Sequence, residues 1–283
     1  MEYTEQDIDK VINERLIKPL NKNCQESIKK LKKSEVKHSE TIGLLSQAFN
    51  TISNSEKNFK KYNFADACTL LRATLEYIVM AYMIEEDEKT YNEFLILSNN
   101  DIKIDRKYTI PNTLLNKFGK NLNKIDKSLF CDMSKKERER LMTDLYDLLC
   151  KFTHASIVVS VFNSIKSKEE KTVLRILLSY NLYFVKIILM KCLNYFTKID
   201  DSEINEETIG ISVLLGYIKI YYKIKKNNIS FEEIKESFYY DTLNKQFYDY
   251  YSDLINKELY NDIMLFEKNE NNIEVALRAF FNK

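Results

Sequence analysis

The sequence predicts an all-α protein, built as an antiparallel helical bundle with a helical C-terminal extension. Only 4 glycines and 2 prolines occur in 283 residues, too few for the tight turns of a β-sandwich, a barrel or a glycine-rich nucleotide fold. Hydrophobic residues make up 45% of the chain and charged residues 30%, which is typical of a globular protein with a substantial core. Together these observations favour long helices joined by polar loops.

The first third of the chain predicts one polar helical segment followed by two longer helices. Residues 5–35 are polar and charged, and Pro19 predicts a break within them because proline interrupts the helical hydrogen-bond ladder. Residues 39–62 and 64–86 have the apolar spacing of two further helices. The second of these should turn six apolar side chains inward: Leu70, Leu71, Leu75, Ile78, Val79 and Tyr82.

The middle of the chain predicts a loop, a capped helix and a buried segment. The stretch 99–112 is typical of a loop and has room for a short extended piece. Ser134 and Glu137 then have the spacing of a capping box, which predicts that a helix begins there. That helix should end at 151–154 and bury Leu141, Leu145, Leu148 and Leu149. We interpret IVVSVF, at 157–162, as buried helix, since no partner strands are evident.

The most hydrophobic stretch of the chain lies within residues 168–197, which we interpret as a long core helix. Arg175, Lys186 and Lys191 interrupt it, so its uncharged runs are shorter than the ~18 residues expected of a membrane span. We therefore expect no membrane partner.

Polar connectors divide the chain into three parts. We expect an N-terminal helical arm at 1–38, a helical bundle at 39–199 and a helical C-terminal subdomain at 200–283. The acidic run DDSEINEE, at 200–207, marks the second boundary.

Charge and cysteine content narrow the functional class. The net charge is +1 and is spread evenly over the two halves, whereas general polyanion binders carry a clear positive excess. The five cysteines are odd in number and widely spaced, a pattern typical of reduced thiols in a cytoplasmic protein. The N-terminus is acidic and lacks an apolar signal region. We therefore expect a cytoplasmic location.

Two short stretches carry most of the functional information: LLRATLEYIVMAY at 70–82 and LYDLLCKFTHASI at 145–157. The first places Arg72 and Glu76 one turn apart on a mostly apolar helix, where a buried charge is costly unless it is paired or used. The second ends at His154, and histidine is the side chain best suited to proton transfer near neutral pH.

Common catalytic and metal-binding motifs are missing from the sequence. GxGxxG, GxxxxGK[ST], GxSxG, HExxH and CxxC do not occur. Cys150 and His154 have i, i+4 spacing and could share a helix face, but two ligands do not make a metal site. A cysteine in this context is more often packed in the core than bound to a metal. We expect no metal and no cofactor.

The two stretches together resemble the HEPN superfamily of helical bacterial domains. The resemblance covers residues 40–198 and lies in a helix with LLR…LE and a later helix ending Y-x-LL-x-x-x-x-H-A-S. Many HEPN proteins are metal-independent ribonucleases of toxin–antitoxin, CRISPR and phage-defence systems and act as homodimers. The resemblance implies that His154 is the acid/base, that Arg72 binds phosphate oxygens and that Glu76 orients Arg72. It also implies that Lys151, Thr153 and Ser156 line the same edge, and that the protein acts on RNA or binds RNA or nucleotide.

One position departs from the HEPN pattern. Catalytic members carry an arginine four to six residues before the histidine on the same helix, whereas residues 148–153 here are LLCKFT. Lys151 is the only basic residue among them, and it lies too close to His154. Either Arg72 supplies the charge from a neighbouring helix, or the domain is a non-catalytic descendant.

Several other interpretations stay open. Arg72 and Glu76 are also the pattern of a structural ion pair, and a histidine at a helix C-terminus is often a cap. A non-catalytic helical module that binds a partner protein, as a sensor, adaptor or inhibitor, is the second functional hypothesis. A third is a phage or plasmid accessory protein that recognises nucleic acid through KIKKNN, at 223–228, and the tyrosine-rich segment after it.

Overall fold

A computed structural model describes residues 10, 12–99, 110–127, 130, 133–153 and 168–199 of the chain. These residues form seven helices and no strand, which confirms the all-α prediction. The helices are α1 (Lys18–Leu31), α2 (Ser39–Lys60), α3 (Phe64–Glu86), α4 (Glu88–Asn99), α5 (Asn112–Ile125), α6 (Lys135–Thr153) and α7 (Lys168–Thr197). Three predictions lie outside the described residues: most of the loop at 99–112, the segment 157–162 and the extension at 200–283.

Helix α1 runs on from a π-helical turn, Asn13–Ile17, without an interruption at Pro19. The Lys18 N–H reaches back to the carbonyl of Asn13, five residues earlier. Pro19 occupies the first turn of α1, where its missing N–H costs no hydrogen bond of that helix. The break expected near Pro19 is therefore a widened turn rather than an end of the helix.

Helix α3 lies at the centre of the fold and packs against α2, α4, α5, α6 and α7. Five of its six predicted inward residues are buried, and Leu70 is only half-buried because it lies at the edge of the buried stripe. By length and composition alone, α3 is the one helix of the described chain that could cross a membrane. In the bundle, however, 67% of its most apolar window is buried against other helices.

Helix α1 belongs to the same core as the bundle. Leu20, Cys24 and Leu31 are fully buried on the face of α1 that packs against α7. Between them, the hydroxyl of Ser27 donates to the Oδ1 of Asn194 over 2.6 Å, in a buried hydrogen bond that joins α1 to α7. A polar pair thus sets how these two helices meet.

Helix α7 is a core helix over its described side chains, as the sequence predicts, and it also buries two lysines. Lys186 is 2% exposed, and its Nζ lies 2.9 Å from Oε2 of Glu56 on α2. Lys191 is 4% exposed and pairs over 2.5 Å with Asp126, just after α5. Each ammonium is therefore buried together with a carboxylate.

A side chain from the end of α3 caps the start of α2. The Glu85 carboxylate is buried and accepts hydrogen bonds from the backbone N–H groups of Lys37 and His38. It also accepts one from the Thr41 hydroxyl, over 2.9 Å. These contacts satisfy donors at the α2 N-terminus and place a negative charge at the positive end of that helix.

The predicted capping box begins α6. The Ser134 hydroxyl accepts from the Glu137 N–H at 3.2 Å, and the Glu137 carboxylate accepts from the Ser134 N–H at 2.6 Å. Leu145 and Leu149 are buried as predicted, Leu141 is half-buried, and the side chain of Leu148 lies outside the described residues. Helix α5 packs closely on this part of α6, because a Cβ on Gly119 would lie 2.6 Å from the carbonyl oxygen of Arg138.

Candidate functional site

Two side-chain pairs, each at i, i+4 spacing, face one another between α3 and α6. Arg72 and Glu76 project from α3, and Tyr146 and Cys150 project from α6. Arg72 meets Cys150, and Glu76 meets Tyr146. Because the earlier residue of one helix meets the later residue of the other, the two helices run antiparallel at this contact. We call these four side chains the α3–α6 cluster.

Glu76 is the centre of the α3–α6 cluster. The Tyr146 hydroxyl donates to Oε1 of Glu76 over 2.6 Å, a short hydrogen bond between the two helices. The same oxygen lies 3.6 Å from Nε of Arg72, an ion-pair distance that is too long for a good hydrogen bond. The side chains of Arg72 and Glu76 are each 19% exposed, so the pair lies near the edge of the helix–helix contact.

The Arg72 guanidinium has few hydrogen bonds for a charged group at this depth. Its Nη1 donates to the sulfur of Cys150 over 3.8 Å, and a thiol is a weak acceptor. Its Nε is buried and donates no hydrogen bond to any residue that the structure describes. Burial alone would lower the pKa of Arg72, but the bond to Cys150 and the charge of Glu76 raise it above its ordinary value. Arg72 is therefore a fixed cation that the described residues hydrogen-bond only weakly.

The two α6 members of the cluster stay neutral near pH 7. Burial, the hydrogen bond to Glu76 and the Glu76 charge all raise the pKa of the Tyr146 hydroxyl. Burial also raises the pKa of the Cys150 thiol, and this effect outweighs the opposite effect of Arg72. Neither group is suited to act as a nucleophile near neutral pH.

The site residues predicted from the sequence fall into two groups. Arg72 and Glu76 form an ion pair within the α3–α6 cluster. Lys151 and Thr153 belong to the last turn of α6, but their side chains lie outside the description, as do His154 and Ser156 altogether.

The cluster lies close in sequence to the predicted acid/base. Cys150 is four residues before His154. In the structure, the guanidinium of Arg72 reaches that position from α3.

Tyr146 is the member of the cluster that the sequence reasoning missed. It lies within the quoted motif, but its neighbours Leu145 and Leu149 predict a purely apolar face for this part of α6. The signal that could have found it is the spacing, since Tyr146 and Cys150 repeat the i, i+4 spacing of Arg72 and Glu76.

The second histidine has a structural environment at the junction of α2, α3 and α4. The ring of His38 stacks on Tyr91 at a centroid distance of 3.5 Å and an interplanar angle of 22°. Its Nε2 lies 3.8 Å from a carboxylate oxygen of Glu88, and its backbone N–H donates to Glu85. We therefore assign His38 to the packing of this junction.

No group of three or more histidine, cysteine, aspartate or glutamate side chains in the described parts of the chain is arranged to hold a metal ion. The buried thiols are also poorly suited to chemistry. Burial raises the pKa of Cys24 to about 12 and raises those of Cys68 and Cys192 further. Among the described residues, the α3–α6 cluster is thus the best candidate site.

Comparison of the chain with protein-family models, with curated proteins and with solved structures finds no match.

Proposed function

We propose that this protein is a HEPN-like cytoplasmic protein of the bacterial defence or toxin type that binds RNA and cleaves it without a metal ion. The observation that carries the proposal is the position of Arg72. Its guanidinium is charged, has few hydrogen bonds and lies against Cys150, four residues before His154. Arginine at such a position can bind the two oxygens of a phosphate group at once.

The proposed reaction needs one cation and one group that transfers protons. The RNA 2′-hydroxyl loses its proton and attacks the adjacent phosphorus, and the bond from phosphorus to the 5′-oxygen breaks. His154 would take the first proton and return a proton to the leaving oxygen. Arg72 would neutralise the charge that develops on the phosphate oxygens. Lys151, Thr153 and Ser156 would contribute to the RNA-binding edge, and a homodimer would be the active form.

The test is incubation of purified protein with labelled total RNA in EDTA, followed by separation of the products by size. We expect cleavage by the wild type, none by His154→Ala, and a loss of about a hundredfold for Arg72→Ala. Arg140→Ala is the matched control, because Arg140 and Asp144 form an i, i+4 pair over 3.0 Å on the exposed side of α6. This control should cleave like the wild type.

Two outcomes would contradict the ribonuclease proposal. Cleavage that persists undiminished in His154→Ala points to another site or to a contaminating nuclease. No cleavage by a wild-type protein that is folded, as judged by its circular dichroism and cooperative thermal unfolding, rejects catalysis. Size-exclusion chromatography with light scattering tests the homodimer separately.

The second candidate function is a non-catalytic helical module that binds a partner protein. One observation favours it: Glu76 and Tyr146 satisfy each other within the contact of α3 and α6, as they would in a structural bridge. On this hypothesis Arg72→Ala lowers the stability of the bundle but changes no RNA-dependent property. Thermal unfolding and RNA binding measured on the same variant separate the two hypotheses.

A further inference from the structure

Glu76 lies between two competing donors. Its Oε1 accepts the Tyr146 hydroxyl at 2.6 Å and lies 3.6 Å from Nε of Arg72. The tyrosine bond crosses between helices and is made by a residue that is 4% exposed, so the packing of α3 against α6 restrains it. Arg72 and Glu76 share one helix and have no such restraint. The geometry therefore holds the carboxylate towards α6 and out of hydrogen-bonding contact with Arg72.

Among the described residues, the Tyr146 hydroxyl is the group that holds Glu76 towards α6, and without it the carboxylate is free to turn to Arg72. A glutamate and an arginine at i, i+4 spacing can form a two-point hydrogen-bonded pair, and the partial burial of both side chains would strengthen it. Such a pair would occupy the guanidinium donors and neutralise most of its charge. A phosphate group would then have to compete with Glu76 for Arg72.

We propose that Tyr146 is a positioning residue, which holds the Glu76 carboxylate and so keeps the Arg72 guanidinium available to a phosphate group of RNA. This role rests on the proposed RNA-binding function. It predicts that loss of one hydroxyl from a buried tyrosine weakens the binding of an anion that the tyrosine does not contact. It also predicts that the loss is reversed when Glu76 can no longer carry a charge.

The competing explanation is that the Tyr146 hydroxyl only stabilises the contact of α3 with α6. On that explanation Tyr146→Phe lowers the free energy of unfolding and leaves the affinity for RNA unchanged. Removal of the Glu76 charge would then have no reason to reverse any effect of Tyr146→Phe. The two explanations differ in affinity and in the coupling between the two positions.

The experiment measures binding of a fluorescently labelled single-stranded RNA by anisotropy, in EDTA at low salt. We expect Tyr146→Phe to bind about tenfold more weakly than the wild type, because the charge-assisted hydrogen bonds of Arg72 are diverted to Glu76. Glu76→Gln should bind at least as tightly as the wild type. The double variant Tyr146→Phe/Glu76→Gln should bind within about twofold of Glu76→Gln.

Tyr195→Phe is the matched control. The Tyr195 hydroxyl donates over 3.1 Å to Oε1 of Glu86, so it also joins a tyrosine on one helix to a glutamate on α3. Glu86 lies at the far end of α3, away from Arg72, and this variant should bind RNA like the wild type. Thermal unfolding of every variant reports whether its fold is intact.

The outcomes separate failure of this role from failure of the proposed function. The positioning role is overturned if Tyr146→Phe binds RNA with wild-type affinity, or if the double variant binds RNA as weakly as Tyr146→Phe alone. In either case, weaker RNA binding by Arg72→Ala than by the wild type still supports the RNA site. Wild-type affinity in Arg72→Ala, or no binding by the wild type, rejects the RNA site and the positioning role together. Should Tyr146→Phe fail to fold, weaker binding by Glu76→Gln than by the wild type is enough to reject the role.

Discussion

The buried ion pair of Lys186 and Glu56 should respond very differently to the removal of each partner. Lys186 is 2% exposed, and its one partner among the described residues is the Glu56 carboxylate at 2.9 Å. Glu56 is 17% exposed and has a second partner, since Nζ of Lys60 lies 3.1 Å from its other oxygen. The lysine therefore depends on the glutamate more than the glutamate depends on the lysine.

The expected magnitudes follow from what each substitution leaves behind. Glu56→Gln leaves a buried ammonium without a carboxylate, which should lower the free energy of unfolding by about 3–5 kcal/mol. Lys186→Met replaces the buried charge with an apolar side chain of similar length and leaves Glu56 paired with Lys60. Its cost should be within about 1 kcal/mol. The double variant should be close to Lys186→Met, because no buried charge remains.

The same pair predicts a pH dependence. Burial works to raise the pKa of Glu56, but the charge and hydrogen bond of Lys186 lower it below the ordinary value of 4.5. The stability that Glu56 contributes is therefore present above pH 4.5 and is lost as the pH falls through the lowered pKa of the folded state. Lys186→Met removes the main cause of the lowered pKa, so this variant should lose less stability on acidification than the wild type.

Urea unfolding followed by circular dichroism measures these free energies for the wild type, both single variants and the double variant. Lys60→Met is the control for the exposed half of the network and should cost less than about 1 kcal/mol. If Lys186→Met is as destabilising as Glu56→Gln, or if the effects of the two substitutions add in the double variant, Lys186 does not depend on Glu56 in this way.

Two further predictions concern the packing of the bundle, and both are measured by thermal or urea unfolding. Glu85→Ala should lower the free energy of unfolding by about 3 kcal/mol, because a buried carboxylate with three hydrogen bonds at the start of α2 is lost. Glu86→Ala, at the exposed neighbouring position, should lower it by less than about 1 kcal/mol. Equal losses in the two variants would contradict the capping role. Gly119→Ala should destabilise by about 1–3 kcal/mol because its Cβ would meet the α6 backbone. Gly43 lies in helix α2 with no atom within 4 Å of a new Cβ, so Gly43→Ala should raise the free energy of unfolding by about 0.5–1 kcal/mol. If both substitutions change the free energy of unfolding in the same direction, close packing at Gly119 is not the cause of its effect.

Much of the helical architecture could be predicted because its causes are local. Few glycines and prolines, together with apolar side chains at helical spacing, were enough to predict helices over 39–62, 64–86 and 168–197. The capping box at Ser134 and Glu137 was predicted correctly because both of its partners lie within one turn. The break at Pro19 was not, because a π-helical turn accommodates the proline and keeps the helix continuous.

The sequence by itself determined the class of fold, most of the apolar faces and the i, i+4 pair of Arg72 and Glu76. Only the tertiary structure decided what those two charges meet. Tyr146 lies 70 residues beyond Glu76 and Cys150 lies 78 residues beyond Arg72, and they reach the pair because α6 packs antiparallel on α3. Periodicity predicts which face of a helix is buried, but it carries no information about which residue of another helix lies opposite. That pairing depends on how the whole core packs, and it decides whether Arg72 is neutralised or left with donors to offer.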